Sequence, residues 1–242
     1  MIVYFTASSH VMAQSASKTD GVVHIAAIGD SITQGGHTKK GKEYTYRHPL
    51  AKMLTEAGVP FDYVGSRQKG LSGDFKWPDI NGKPFDTDHE GYYGAKTGKV
   101  RDELKTTMDT WDAPADIALI HLGTNDQKLR EGEDSHMQSV GEPLREIIEM
   151  LREKNPKVVI LLGHLNFDGG TAKKEIRPVV EEVAREMNTP ESPVITVNHY
   201  EDFNENPKHP ETDTFDWAHP NPRGQEKMAR NWFEAMKPYL AN

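Results

Sequence analysis

Cysteine is absent from the 242-residue chain, which excludes disulfides, a cysteine nucleophile and thiolate metal sites. Basic residues are outnumbered, because 29 lysines and arginines face 37 aspartates and glutamates, and the formal net charge is −8 at pH 7. A protein whose main partner is nucleic acid needs a basic face, so this balance argues against such a partner. No apolar run approaches the roughly 20 residues of a membrane-spanning helix, so we expect no membrane span.

Two common catalytic patterns are also missing. The sequence Gly-x-Ser-x-Gly, which forms the nucleophile turn of α/β-hydrolases, does not occur, and this disfavours that fold. His89 and Glu90 begin a sequence that lacks the second histidine of a zinc-binding HExxH helix. Asp86, Asp88 and Glu90 could bind calcium through oxygen atoms, but a solvated acidic loop is the ordinary interpretation. We therefore predict no metal site and no cofactor.

The first 20 residues differ from the rest of the chain. Residues 2–13 are mildly apolar and end in Val11-Met12-Ala13, which is similar to the small-residue pattern before a signal-peptidase site, although no basic residue precedes them. An export-signal remnant predicts a secreted or periplasmic protein, whereas a simple tail leaves the cytoplasm open. We exclude residues 1–20 from the fold and expect residues 21–242 to form one domain, since single α/β domains run to about 200–250 residues.

Short apolar runs rich in Val, Ile and Leu alternate with helical patterns. Near-continuous apolar strands are typical of a parallel sheet that is covered on both faces. The predicted strands are 22–28, 61–64, 117–121, 158–162 and 194–197. The predicted helices are 46–57, 100–111, 140–151, 176–187 and 225–240. The alternation predicts an α/β fold, a three-layer α/β/α domain whose central parallel sheet has about five strands.

A serine follows the first predicted strand directly, in Gly29-Asp30-Ser31. At a strand-to-helix turn a serine can project its hydroxyl from the sheet edge, and nearby glycines permit the close approach of a substrate. The alternative is an ordinary helix N-cap, for which Asp and Ser are preferred residues. Ser31 is thus a candidate nucleophile.

Asp216 and His219 lie close together near the C-terminus, in Asp216-Trp217-Ala218-His219. A compact turn can hold this carboxylate against the imidazole Nδ1 while Nε2 faces a serine. A serine hydroxyl needs a base to take its proton, and an anionic group fixes the tautomer of that base. With 11 histidines in the chain, a chance Asp-x-x-His pair is the alternative.

Two further segments carry candidate donors for an oxyanion. Asn125 follows the third predicted strand in Gly123-Thr124-Asn125, and Gly94 precedes a predicted helix. A side-chain amide or a glycine N–H near a helix N-terminus can stabilise a developing negative charge. Each segment alone is equally typical of a turn. All of these segments fall near the carboxyl edge of the predicted sheet, where one ligand could contact them together.

Together the four blocks resemble the SGNH (GDSL-type) hydrolase superfamily. The matching residues are Ser31 in the GDS block, Gly94 in the second block, Asn125 in the GTND block and His219 in the DxxH block. The resemblance implies a flavodoxin-like α/β/α fold and a catalytic triad of Ser31, His219 and Asp216. It also implies an oxyanion hole formed by the Ser31 N–H, the Gly94 N–H and the Asn125 side chain.

A finer resemblance points to carbohydrate esterase family 3, which deacetylates xylan. It rests on Tyr46-Arg47, on the segment 62–66 and on Asp88-His89-Glu90-Gly91-Tyr92. The chain departs from that family at Tyr93-Gly94-Ala95, where a Ser-Gly-Trp-like step is usual, and also after the histidine.

We therefore predict a serine esterase that hydrolyses short-chain esters, namely acetyl esters on a carbohydrate. The substrate is either a small molecule or a polysaccharide. A polar loop that carries a tryptophan suits a sugar better than a long acyl chain. We expect Asp30, Arg47 and Trp217 to contact the substrate. One alternative is a lipid esterase, lysophospholipase or thioesterase on the same fold. The other is a non-catalytic carbohydrate-binding protein, and the presence of all the catalytic residue types argues against it.

Overall fold

The computed structural model describes residues 21–36, 45–73 and 75–240. The segment 1–20, to which the export-signal hypothesis applies, lies outside the described residues. The strands are β1 (Val23–Gly29), β2 (Phe61–Val64), β3 (Glu90–Gly91), β4 (Ile117–His121), β5 (Val159–Gly163) and β6 (Val194–Val197). The helices are α1 (Ser31–Gln34), α2 (Arg47–Glu56), α3 (Thr97–Thr107), α4 (Glu142–Lys154), α5 (Arg177–Met187) and α6 (Pro222–Leu240).

All strands pair in parallel in one sheet with the order β2-β1-β4-β5-β6, and the short β3 pairs with the end of β1. Without β3 this is the flavodoxin-like order, in which the chain moves outward in both directions from its first strand. The gap between the ends of β1 and β4 is therefore the topological switch point, where such sheets bind ligands.

Helices cover both faces of the sheet and enclose two apolar cores. One core contains side chains of α3, α4 and α5, and the other contains side chains of α2 and α6. Successive strand residues enter opposite cores, as Leu119 and Ile120 of β4 do, because side chains alternate across a strand. In α4 the buried residues Leu144, Ile147 and Leu151 repeat at helical spacing, which is why that segment is a helix with one face on the sheet.

The predicted fold class is confirmed, and each of the five predicted strands and helices lies within a few residues of its observed position. The sequence did not reveal β3, whose two residues lie inside a polar, turn-rich segment. The observed α4 and α5 begin after π-helical turns at Met137–Gly141 and Ala172–Ile176. No helix among the described residues is long and apolar enough to cross a bilayer.

Candidate active site

Ser31 is the first residue of the short helix α1, which begins directly after β1. Asp30 caps this helix, because its Oδ1 accepts a hydrogen bond from Ile32 N at 3.0 Å. The helix packs closely on β3, where a Cβ on Gly91 would collide with the backbone nitrogen of Gln34. The strand-to-helix turn thus fixes Ser31 at the carboxyl edge of the sheet, beside the switch point.

His219 and Asp216 reach this edge from the loop between β6 and α6. His219 Nε2 lies 2.9 Å from Ser31 Oγ, and His219 Nδ1 lies 2.9 Å from Asp216 Oδ2. A hydrogen bond also fixes this loop, since Asn166 Nδ2 donates to the Ala218 carbonyl at 2.9 Å. Residues that are 188 positions apart in the chain therefore form a continuous hydrogen-bonded series of hydroxyl, imidazole and carboxylate.

The Asp216 carboxylate is held in its ionised form by its own turn. Burial by itself would raise its pKa, but the backbone N–H groups of Ala218 and His219 and the His219 ring outweigh that effect and lower the pKa below its usual value. Asp216 Oδ1 accepts those backbone bonds at 2.8 and 2.9 Å. An anionic Asp216 favours the His219 tautomer that carries its proton on Nδ1 and leaves Nε2 free to accept one.

Asn125 and Gly94 lie on loops that are tied to each other by a hydrogen bond. Asn125 follows β4 in a 3-10 turn, and its Nδ2 donates to the Ala95 carbonyl at 3.0 Å. Gly94 has a φ of +72°, a conformation that favours glycine. Gln34 Oε1 accepts from Tyr93 N at 2.8 Å, so that α1 also holds this loop.

The backbone N–H groups of Ser31 and Gly94 have no hydrogen-bond partner within the described chain. Ser31 N cannot bond within α1, because the first N–H groups of a helix never do. Two free N–H donors can stabilise an oxyanion. The Asn125 amide adds a third donor when it exchanges its contact with the Ala95 carbonyl, or with Asp30, for the oxyanion.

Two of the three residues that were expected to contact the substrate are buried in the structure. Asp30 and Arg47 are both 0% exposed, so neither is available to a substrate. Asp30 caps α1 and lies 3.4 Å from Asn125 Nδ2, and burial raises its pKa to about 6. Trp217, by contrast, is 55% exposed, and its role as a substrate contact stays a prediction.

Arg47 instead joins the nucleophile helix to the loop before β3. Its guanidinium donates to the backbone carbonyls of Thr33 at 2.8 Å, Gln34 at 3.1 Å and Thr87 at 3.0 Å. Burial lowers its pKa to about 10, so the group is still protonated at neutral pH. Sequence reasoning placed Arg47 near the site but could not show that its partners are main-chain carbonyls.

Replacing Arg47 by methionine is expected to lower the free energy of unfolding by on the order of 3 kcal/mol, because three buried carbonyls lose their donors. Urea denaturation measures this effect. Arg47→Lys retains the charge but not the planar guanidinium group, so its free energy of unfolding should lie between those of the wild type and Arg47→Met. Wild-type stability in Arg47→Met would contradict the assigned role.

Three histidines that the sequence did not single out as a group lie at the ends of adjacent strands. His121 ends β4, and His164 and His199 follow β5 and β6. Within the described part of the chain, the ring nitrogens of His121 and His199 are buried without a well-aligned hydrogen-bond partner. Burial lowers the pKa of His121 to about 4 and that of His199 well below its usual value.

These histidines predict acid lability. Their folded pKa lies below the unfolded value of about 6.5, so the stability they contribute is complete above pH 6.5 and is lost as the pH falls toward 4. For His121 the loss between pH 7.5 and pH 5 is on the order of 2 kcal/mol. Urea unfolding at both pH values measures it. His121→Gln should reduce the difference between the two pH values, whereas the exposed His209→Gln should not, and an equal reduction would contradict this account.

The acidic segment before Gly91 has a structural role. The Asp86 carboxylate accepts bonds from Tyr63 N at 2.6 Å and Asp88 N at 3.1 Å, and Glu90 is completely buried. Within the residues that the structure describes, no set of three or more His, Asp or Glu side chains is arranged to hold a metal ion.

Comparisons with known proteins identify the family of the chain. The model of the GDSL-like Lipase/Acylhydrolase family matches residues 27–227. A multidomain esterase of Ruminococcus flavefaciens is 28% identical over 246 aligned positions, which cover 93% of this chain and 30% of that protein. The chain therefore spans under a third of the length of that relative.

Solved structures share the fold at low identity. A family 3 carbohydrate esterase of Clostridium thermocellum superposes with a TM-score of 0.67 at 23% identity, covering 90% of this chain and 97% of that one. A carbohydrate esterase family 3 structure from Talaromyces cellulolyticus gives a TM-score of 0.65 at 22% identity, with 90% and 98% coverage. These similarities establish a shared architecture.

Proposed function

The chain belongs to the GDSL-like lipase/acylhydrolase family, and on that premise we propose that it is an ester hydrolase that removes acetyl groups from a carbohydrate. In this proposal Ser31, His219 and Asp216 form the catalytic triad. The observation that carries the proposal is the pair of 2.9 Å contacts that His219 makes, one with Ser31 Oγ and one with Asp216.

The reaction proceeds through an acyl-enzyme. Ser31 Oγ attacks the ester carbonyl carbon while His219 Nε2 takes the hydroxyl proton. The tetrahedral intermediate collapses when His219 returns that proton to the sugar oxygen, so the ester C–O bond breaks and the alcohol leaves. Water then attacks the acyl carbon, again with His219 as base, and acetate is released as Ser31 regains its proton.

The Ser31 N–H, the Gly94 N–H and the Asn125 amide stabilise the oxyanion in both steps. Asn125→Ala is expected to lower kcat by about 10²–10³-fold, since removing one such donor costs about that much elsewhere. KM should change little, because the contact strengthens only as negative charge develops. Steady-state kinetics with p-nitrophenyl acetate measure both quantities. A rise in KM of similar size, with kcat unchanged, would contradict the role of Asn125.

Aromatic surface at the site supports a carbohydrate as the alcohol part of the ester. The Tyr93 ring lies at 9° to the His219 ring with centroids 5.9 Å apart, and Tyr93 is 46% exposed. Trp217 contacts Phe167 edge-on at 5.5 Å and is more exposed still. Tyr93, which stacks on the catalytic imidazole, and Trp217, two residues before His219 in the chain, offer rigid apolar surface against which the C–H face of a sugar can pack.

A chain-length series of p-nitrophenyl esters and a panel of acetylated glycans test the substrate. The proposal predicts a maximum at acetate and Ser31-dependent acetate release from at least one glycan. An optimum at C8–C12 would indicate a lipid esterase instead. Failure to react with a serine-directed fluorophosphonate would indicate a non-catalytic binding protein.

A further inference from the structure

We propose that a cavity beside the oxyanion donors binds the carboxylate of an acidic sugar, so that the preferred ester is an acetylated glycan that carries a uronic acid. This inference rests on the proposed esterase function and specifies that the sugar carrying the acetyl ester is negatively charged. The cavity measures about 460 Å³, and its lining includes Gln34, Arg67, Tyr93, Gly94 and Lys99.

Three of these residues connect the cavity to the reaction centre. Gly94 carries a proposed oxyanion donor, Tyr93 stacks on His219, and Gln34 belongs to the nucleophile helix. The cavity therefore adjoins the reaction centre, and a group bound in it can belong to the same ester that Ser31 attacks. The volume lies within the roughly 300–1,000 Å³ of small-molecule sites, far above what an acetyl methyl needs, and this favours a sugar ring.

Arg67 supplies the anion-binding group. Its guanidinium lies 4.6 Å from the centre of the Tyr92 ring, and no carboxylate among the described residues lies within 4.0 Å of its nitrogens. Arg67 Nε is buried without an acceptor in the described structure. A buried donor without an acceptor is costly, and a carboxylate fits an arginine through two parallel N–H bonds.

The neighbouring acids are already engaged. The Glu90 carboxylate accepts from Ser66 N at 2.6 Å, Tyr92 Oη at 2.5 Å and Trp111 Nε1 at 2.7 Å. Glu103 pairs with Lys99 at 2.5 Å, so Lys99 is the weaker of the two cations. Because the chain as a whole is acidic, attraction of an anion to this cavity depends on these local groups and not on long-range steering.

A matched pair of substrates tests the inference. One is an acetylated xylo-oligosaccharide with a glucuronic acid substituent, and the other is its twin with that carboxyl reduced to an alcohol. We expect the wild-type kcat/KM to favour the acidic substrate by about tenfold or more, chiefly through KM, and the ratio to fall toward one in Arg67→Gln. Added salt should also lower the wild-type ratio.

Control variants separate charge recognition from general damage. Arg230→Gln, which removes an exposed arginine on α6, should keep the wild-type ratio, and Arg67→Lys should be intermediate. Should Arg67→Gln fail to fold, competition on the wild-type enzyme decides the question, with methyl glucuronoside expected to inhibit at least about tenfold better than methyl glucoside.

A wild-type ratio near one, an unchanged ratio in folded Arg67→Gln, or equal inhibition by the two glycosides would overturn the inference. None of these outcomes touches the esterase itself, whose failure would be seen separately as the absence of Ser31-dependent hydrolysis of p-nitrophenyl acetate.

Discussion

Ser31→Ala is expected to lower kcat/KM for p-nitrophenyl acetate by about 10⁴–10⁶-fold, which is the range seen when a serine hydrolase loses its nucleophile. The residual rate reflects the oxyanion donors and substrate binding, which the substitution leaves in place. Ser31 is 3% exposed, and it makes its side-chain contact with His219. Removing one hydroxyl should therefore change the stability far less than the rate.

Ser135→Ala is the matched control, because Ser135 is exposed and lies outside the site. It should retain wild-type activity. Circular dichroism and urea unfolding establish that Ser31→Ala is folded, and a folded Ser31→Ala protein with the wild-type rate would remove Ser31 from the mechanism.

His219→Ala is expected to lower kcat about as much as Ser31→Ala does, since no base other than His219 contacts the Ser31 hydroxyl among the residues that the structure describes. Asp216→Asn should cost less, about 10³–10⁴-fold, because it disturbs the tautomer and orientation of a base that is still present. The double variant Ser31→Ala/His219→Ala should be no slower than either single variant, because the residues act as a unit. Losses that simply multiply would show that they act independently.

The sequence predicted most of the fold because the signals that determine it are local. Continuous apolar runs such as residues 117–121 indicate buried parallel strands, and the repeat of Leu144, Ile147 and Leu151 indicates one helix face. The two-residue β3 escaped prediction because it carries no such pattern and exists only through its pairing with Ile28 and Gly29.

The candidate site was predicted less evenly. Ser31, Asn125 and His219 stood out because they follow strands or form a short motif. The roles of Asp30 and Arg47 depend on burial, which no local pattern reveals, so both were expected to contact the substrate but are buried. The same holds for Gln34, which accepts a hydrogen bond from Tyr93 N across 59 positions of chain, and for Arg67, whose Nε is buried without an acceptor among the described residues.

Labelling with a fluorophosphonate followed by peptide mass spectrometry tests the central claim most directly. The reagent reacts with a serine whose proton is withdrawn by an adjacent base. We predict one adduct per chain, on Ser31, with activity lost in proportion to labelling and with labelling abolished in His219→Ala. An adduct on another residue that accounts for the lost activity, or full activity in a protein labelled at Ser31, would contradict the account.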